Sequence, residues 1–296
     1  MSKKYLYILL PCLLSFLSYG QYDQKLVKFD FREEDGNPYG IIKLNMKNEK
    51  IKLKYFASKS EMGEPIMDRF NEWSFNKNLV LFSSGTYYFY PNKNNRNKNS
   101  ALPVGLCFDN GIAINKVIDP KLDGLVLLYP SGHIVVENLK NNSITFKRKQ
   151  GPISFNLKDQ YDRMAFFKYA QDMKATVFQT HLFVHDNKLL IGTNANSYKD
   201  YRRFLAGTVS DSGDLTYYVI NLPFNATILE GSVKAQQYLK SIEKVKNISF
   251  LINLDTGAQN TLNVFHPKTG KLLENANFSG TKQLKDAINL LAFYYE

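Results

Sequence analysis

An aspartate that follows an apolar stretch is the most informative position for chemistry in this sequence. Residues 248–265 run through an apolar segment into Asn253 and Asp255, turn at Thr256-Gly257, and continue as a second strand-like segment. A carboxylate at the end of a buried strand has a fixed position and can act as an acid, a base or an acceptor for a sugar hydroxyl. Asp255 could equally bond the N–H groups of its own turn, and on the strand–turn pattern alone this second interpretation is the stronger.

Two histidines, His181 and His185, have the four-residue spacing of a metal-binding pair on a helix. The residues around them are typical of a strand, in which the two would lie roughly 13 Å apart at about 3.3 Å per residue. That distance is too long for one metal ion, and the segment lacks the further ligands of a zinc site. We therefore expect no metal site. We also expect no cofactor, because the sequence contains no P-loop, nucleophile elbow or metalloprotease motif.

The elements that would position these residues are mostly strands. Three helix-like segments interrupt them, beginning after Asp159, Ser232 and Thr281. The third has Leu284, Ile288 and Leu291 on one side. The order predicts an α+β fold, a strand-rich mixed sheet domain with a few packed helices. The predicted strands are residues 25–31, 40–44, 50–56, 78–82, 86–90, 125–129, 133–137, 176–178, 182–185, 188–191, 204–209, 215–220, 248–253 and 261–265.

The first twenty residues have the three-part layout of a secretory signal peptide. A basic start at Lys3-Lys4 precedes an apolar run, and small residues at Ser18 and Gly20 mark a cleavage point before Gln21. We expect this segment to be removed and the protein to be exported, to the periplasm or outside the cell. An N-terminal anchor helix is the alternative. No later stretch is long enough for a membrane span.

The net charge and the cysteine content limit which ligands and which disulfides are expected. The 296 residues carry a formal charge of +11, of which two positive charges lie in the expected signal peptide. A solvated basic surface and attraction to a phosphate-bearing ligand both remain open. Export and the lack of a nucleic-acid-binding motif argue against nucleic acid. Signal cleavage removes Cys12 and leaves Cys107, which excludes an intramolecular disulfide and is expected to be an inert core thiol.

A series of segments over roughly two-thirds of the chain resembles a known family. In chain order they are Ser84-Gly85-Thr86-Tyr87-Tyr88, Pro103-Val104-Gly105-Leu106, residues 179–187, Arg203 with Gly207 four residues later, a helix after Gly231, and Asn253-Leu254-Asp255-Thr256-Gly257. Between about Asn78 and Phe265 this order resembles the phosphodiester glycosidase family, the uncovering-enzyme-like N-acetylglucosamine-1-phosphodiester alpha-N-acetylglucosaminidases. Three signature positions depart from the family. Thr256 replaces a glycine, Ser-Gly-Thr replaces Asn-Gly-Gly, and His181-Leu182 replaces Gly-Pro.

The resemblance implies cleavage of a sugar from a sugar-1-phosphodiester. Asp255 would be the acid/base, Arg203 the bidentate group for phosphate, and His181 either a substituted proton donor or a side chain that blocks the cleft. The substrate-binding residues it implies are Gln179, Asn253, Gly257, Ser84, Gly85 and Tyr88. It also implies an N-terminal strand-rich portion over residues 21–75 and a phosphodiester glycosidase-like domain over residues 76–296.

Three functions remain open from the sequence. The protein is an exported phosphodiester glycosidase acting on an envelope or extracellular glycan, an inactive relative that binds glycan or phosphate, or a structural envelope protein. The expected partner is a glycan or sugar-phosphate ligand, and the sequence leaves the oligomeric state open. Under either of the first two functions, Asp255, Arg203, Gln179 and Asn253 should converge on one open cleft.

Overall fold

The computed structural model describes residues 25–34, 36–57, 66–90, 101–141, 143–147, 151–190, 198–257 and 260–296. The expected signal peptide lies outside these residues. Within the described part, every helix is too short or too polar to cross a bilayer.

The described chain is dominated by strands, with three α-helices among them. The helices are α1 (Ile66–Ser74), α2 (Gln160–Asp172) and α3 (Ile228–Gln237). The strands are β1 (Val27–Glu34), β2 (Asn37–Asn45), β3 (Ile51–Ala57), β4 (Asn78–Ser83), β5 (Tyr88–Phe89), β6 (Leu102–Pro103), β7 (Cys107–Asp109), β8 (Ile112–Asn115), β9 (Gly124–Leu128), β10 (Ile134–Asn138), β11 (Ile144–Phe146), β12 (Ile153–Phe155), β13 (Thr176–Thr180), β14 (Leu182–His185), β15 (Lys188–Leu189), β16 (Asp200–Val209), β17 (Leu215–Ala226), β18 (Ile248–Leu254), β19 (Leu262–Val264) and β20 (Asn289–Tyr295).

Three antiparallel sheets carry the fold, together with two short ribbons, β5-β6 and β11-β12. The largest sheet has the order β1-β2-β17-β16-β18-β14-β15, the second β10-β9-β13-β7-β8, and the third β19-β4-β20-β3. This architecture confirms the α+β class. The N-terminal strands join two of these sheets, β1 and β2 the first and β3 the third. The division of the chain after residue 75 stays a prediction.

The core lies where the three sheets meet, and each sheet has a helix on its other face. The common core takes Leu44 and Ile252 from the first sheet, Phe178 from the second, and Leu53 and Phe293 from the third. Separate apolar clusters lie on the outer faces, beneath α3, α2 and α1 respectively. Strand residues therefore alternate between the common core and a helix-covered face.

The first two predicted helices are confirmed, with corrections to their details. Asp159 caps α2 by accepting from the backbone N–H groups of Tyr161 and Asp162. Phe167 and Ala170 on α2 are buried, as their helical spacing predicts, whereas Met164 and Met173 are exposed. The second helix begins earlier than predicted, because Thr227 rather than Ser232 forms a capping box with Glu230.

The third predicted helix is wrong. Residues 284–286 form a single 3₁₀ turn, and the chain then continues as strand β20 between β3 and β4. Ile288 and Leu291 are buried as expected, but Leu291 lies on β20 and Ile288 directly precedes that strand. The sequence analysis also missed α1.

Candidate functional site

The predicted site forms where β16 begins and β18 ends. The segment that follows β4 lies beside them. Leu254 at the end of β18 pairs with Arg203 on β16. The backbone N–H of Asp255 then donates to the Gly85 carbonyl at 2.9 Å, and the Ser84 hydroxyl donates to the Asp255 carbonyl at 2.7 Å. Five predicted site residues therefore lie together: Ser84, Gly85, Arg203, Asn253 and Asp255.

The Asp255 carboxyl is buried, and its surroundings hold it in one orientation. The Gly257 N–H donates to Oδ1 at 3.0 Å, so the Asx-turn interaction that the sequence left open is present. Burial raises the pKa of Asp255 to about 6, although backbone N–H groups and the charge of Arg203 act in the opposite direction. The Asx-turn and an acid–base role are compatible. Even with the hydrogen bond from Gly257, the pKa of Asp255 is close enough to neutral pH for the carboxyl group to donate or accept a proton.

A second carboxylate, Asp200, lies near Gly257 as Asp255 does. A methyl group at Gly257 would lie 3.5 Å from Asp255 Oδ1 and 4.0 Å from Asp200 Oδ2, and no other described atom comes within 4 Å of it. The charge of Asp200 also raises the pKa of Asp255. The sequence analysis missed Asp200, whose one visible signal was an acidic residue three positions before Arg203.

Arg203 is fully buried and bonds to internal groups. Its Nε donates to Asn221 Oδ1 at 3.1 Å, Nη1 to the Thr261 carbonyl at 2.9 Å, and Nη2 to Asn260 Oδ1 at 2.6 Å. Its Nη1 also lies 3.4 Å from the Ser84 hydroxyl. Burial lowers the pKa of Arg203 to about 9, and the nearby Asp255 raises it. The guanidinium thus ties together the segments that carry Ser84 and Asn260.

Arg202, the neighbouring residue, is placed differently. Its Nε donates to the Ala226 carbonyl at 2.9 Å and its Nη2 to the Tyr198 carbonyl at 2.6 Å. Burial lowers the pKa of Arg202, whereas Tyr87, Asp200 and Asp255 raise it. Its positive charge therefore acts on both carboxylates, which the sequence analysis did not foresee.

Tyr87 links Asn253 to His181. Asn253 Nδ2 donates to the Tyr87 hydroxyl at 2.5 Å, and the Tyr87 ring meets His181 edge to face at 5.5 Å. Burial raises the pKa of Tyr87, so its hydroxyl keeps its proton, and burial lowers the pKa of His181, which favours a neutral ring. Asn253 Oδ1 is buried and has no hydrogen-bond partner within the described part. A buried acceptor of this kind is costly unless a ligand or water pairs with it.

Gln179 lies behind the site, with its side chain fully engaged. Its Oε1 accepts from the N–H groups of Leu106 and Asp119, and its Nε2 donates to the carbonyls of Asp119 and Leu122, at 2.6 to 3.0 Å. It reaches the other site residues through Thr86, whose hydroxyl donates to the Gln179 carbonyl at 2.7 Å.

Tyr88 is the next residue in the chain after Tyr87. It is half-buried in the β5-β6 ribbon, where it pairs with Pro103 and its ring meets that of Tyr90.

We looked among the described residues for a metal-binding group and for a reactive thiol. They contain no group of three His, Cys, Asp or Glu side chains that could hold a metal ion. Cys107 is fully buried, and burial raises the pKa of its thiol, which suits the predicted inert role.

Comparison with known proteins relates the chain to others by fold. No protein-family profile and no curated protein matches it. Among solved structures, the chain is similar to the catalytic domain of zebrafish N-acetylglucosamine-1-phosphodiester alpha-N-acetylglucosaminidase, auto-inhibited by its pro-peptide. The TM-score is 0.51 at 11% identity, over 94% of this chain and 87% of that one. This likeness shows a shared fold.

Two further solved structures are similar at a TM-score of 0.48 and 11% identity, and we draw no argument from them. One is a hypothetical protein from Synechocystis, matched over 91% of this chain and 62% of its own length. The other is a candidate exported protein from Burkholderia pseudomallei, matched over 87% of this chain and 74% of its own.

Proposed function

We propose that the protein is an exported glycosidase that hydrolyses a sugar-1-phosphodiester in an envelope or extracellular glycan. The observation that carries the proposal is the pair of carboxyl groups, Asp255 and Asp200, both within 4.0 Å of the point where a side chain at Gly257 would begin. The shared fold with the zebrafish phosphodiester glycosidase domain and the order of the resembling segments support the choice of substrate. Export rests on the signal-like N-terminus.

Glycoside hydrolysis commonly uses two carboxyl groups, one as an acid with a raised pKa and the other as a base or nucleophile. Asp255 suits the acid, because its pKa of about 6 keeps a protonated fraction near neutral pH. Asp200 is half-buried and suits the second role. Asp255 Oδ1 and Asp200 Oδ2 can be no further apart than the sum of their distances to the position of a methyl group at Gly257. This upper limit is shorter than the roughly 9.5 Å of the widest catalytic carboxyl pairs.

The remaining residues divide into those that touch the substrate and those that hold the site in place. We assign the phosphate-binding charge to Arg202, whose Nη1 makes no hydrogen bond within the described residues and whose charge acts on both carboxylates. We assign a positioning role to Arg203, whose three guanidinium nitrogens all bond to internal groups. The Tyr87 hydroxyl and the free Oδ1 of Asn253 provide a donor and an acceptor for sugar or phosphate. His181 lines the same edge as a neutral proton acceptor or donor for the leaving group.

Ser84, Gly85 and Gln179 support the site through backbone contacts. Gly257 leaves the space for the substrate. Tyr88, which pairs with Pro103 in the β5-β6 ribbon, stays a candidate for stacking on a sugar ring.

A second candidate function is binding without turnover. The observation that favours it is the low exposure of the Asp255 side chain together with Thr256 at a family glycine position. Thr256 is buried, and its hydroxyl donates to the Tyr201 carbonyl, so this part of the turn is closed to a ligand. A relative of this kind would keep the phosphate and sugar contacts and lose the reaction.

The test is sugar release from a panel of sugar-1-phosphodiesters by the chain from Gln21 onward. We expect Asp255→Asn and Asp200→Asn each to lower kcat by at least about 100-fold, the usual minimum for loss of acid–base catalysis. The matched control is Asp186→Asn, an exposed carboxylate in a left-handed turn that asparagine also accepts. Full activity in either site variant would contradict the proposal. Ligand binding by the parent without turnover, lost in the variants, would establish the second function.

A further inference from the structure

A cavity of about 500 Å³ lies outside the candidate site, beside the end of β10 and the start of α2. Three chain segments form its walls, residues 118–123, 139–140 and 157–163. Its apolar surface comes from Ile118, Leu122, Leu139 and Leu157. The size is within the roughly 300–1,000 Å³ of pockets that bind small molecules.

The charged groups on one side of this cavity are already paired. Lys140 Nζ lies 3.0 Å from Asp123 Oδ2, and Asp123 Oδ1 accepts from the Leu182 N–H at 2.9 Å. Asp119 Oδ1 accepts from the Lys121 N–H at 2.8 Å. These two carboxylates therefore have partners within the wall.

Two cations on the third wall have no such partners. Within the described residues, neither Lys158 nor Arg163 forms a salt bridge, and the one hydrogen bond of the Arg163 guanidinium is a 3.4 Å contact from Nη1 to the Leu157 carbonyl. Arg163 is half-buried, and Lys158 is exposed. The positive charges of Lys158 and Arg163 therefore lie beside an apolar surface at the cavity edge. Their N–H groups are available to donate hydrogen bonds to an anion.

We propose that this cavity binds an anionic amphiphile, an alkyl chain that carries a single phosphate or carboxylate. Arg163 and Lys158 bind the head group, and the four aliphatic side chains contact the first part of the alkyl chain. Apolar contact alone would suit a neutral ligand, and the two cations alone a free anion, so recognition requires both parts of one molecule. This site is separate from the carboxylate pair, and its ligand goes beyond the proposed function.

The cavity and the candidate site share structural support. Gln179 binds the carbonyls of Asp119 and Leu122 in the cavity wall, and its own backbone carbonyl accepts from Thr86 beside Tyr87. A ligand in the cavity would therefore contact a segment that also supports the candidate site.

The probe is decyl phosphate, kept below its micelle-forming concentration and titrated into the chain from Gln21 onward by calorimetry. We expect binding by the parent, and affinity at least about tenfold lower in Arg163→Gln, which matches the roughly 1.4 kcal/mol of one charge-assisted hydrogen bond. Lys158→Gln, at an exposed position that leaves the fold intact, is expected to weaken binding in the same direction. The matched control is Lys168→Gln on α2, whose amine pairs with Asp172 at 2.9 Å.

Inorganic phosphate and decyl maltoside separate the two parts of the ligand. We expect each to bind at least about tenfold more weakly than decyl phosphate, because each lacks one of the two contacts. If inorganic phosphate bound as tightly as decyl phosphate, the site would recognise only an anion. If decyl maltoside bound as tightly as decyl phosphate, the two cations would have no part in recognition. Either result overturns the proposal, as would no binding by the parent or unchanged binding in both cation variants.

Discussion

The polar groups around Arg203 and those around Asp255 are neighbours in the fold, yet they are satisfied to different degrees. In the first region, which we call the frame, Arg203 bonds to Asn221, Asn260 and Thr261, all buried. In the second, the carboxylate pair of Asp200 and Asp255, two acidic groups lie within 4.0 Å of the point where a side chain at Gly257 would begin. Arg203 has an internal acceptor for each of its three guanidinium nitrogens, whereas the pair brings two acidic groups close together.

This difference separates polar residues that stabilise the protein from those that cost stability. A buried network in which each donor has an acceptor fixes the backbone that carries it. Two nearby carboxyl groups, one of them buried, disfavour ionisation and lower the stability of the fold at neutral pH. Groups left in such a state are typical of functional sites, so the contrast supports the carboxylate pair as the reactive part.

Removing the centre of the frame should have the largest effect. Arg203→Met takes away the donors of three buried acceptors, and we expect the free energy of unfolding to fall by about 3–5 kcal/mol. Denaturant unfolding measures this loss. The control is Arg32→Met, an exposed arginine whose surface pair with Asp30 should contribute at most about 1 kcal/mol. A loss below 1 kcal/mol in Arg203→Met would contradict the frame.

Asp255→Asn should change how stability depends on pH. The pKa of Asp255 rises from 3.8 to about 6 on folding, so the folded state binds the extra proton and loses stability as pH rises through this window. The parent should lose up to about 3 kcal/mol between pH 4 and 7 relative to the variant, since one pKa unit equals 1.36 kcal/mol. Unfolding of both proteins at several pH values measures this. A constant difference between them would exclude the raised pKa.

Two glycines allow the regions to be compared with the same substitution. Alanine at Gly85 would place its methyl group 2.8 Å from the buried Tyr55 ring, and we expect a loss of about 1–3 kcal/mol. Alanine at Gly257 meets only the two carboxylates at ordinary contact distances, so stability should change by about 0.5 kcal/mol or less. Sugar release should nevertheless fall in Gly257→Ala. Unchanged release in this stable variant would show that the space at Gly257 is not used.

Local patterns predicted much of the fold. The predicted strands 125–129 and 133–137 form the antiparallel hairpin β9-β10, and Asp159 caps α2 as predicted. The third helix failed because Leu284, Ile288 and Leu291 have helical spacing, whereas the last strand is formed by pairing with β3 and β4. Those partners lie more than 200 residues away in the chain and leave no local signal.

The site was predictable in part for the same reason. Asp255 and Asn253 stand out because they follow an apolar strand, and the resemblance adds Arg203. Asp200 and Arg202 could be assigned to the site only from the pairing of β16 with β18. This pairing places the first residues of β16 beside the last residues of β18. The different placement of Arg202 and Arg203 likewise depends on packing that the sequence does not show.

The measurement that tests the carboxylate pair most directly is a carbon-13 NMR titration of the Asp255 carboxyl group in the parent and in Asp200→Asn. The expected result is a pKa of about 6 in the parent and a lower pKa in the variant, because the neighbouring negative charge that raises it has been removed. The Asp186→Asn control should titrate like the parent. An Asp255 pKa near 4 in all three proteins would contradict the pair, and with it the proposed acid.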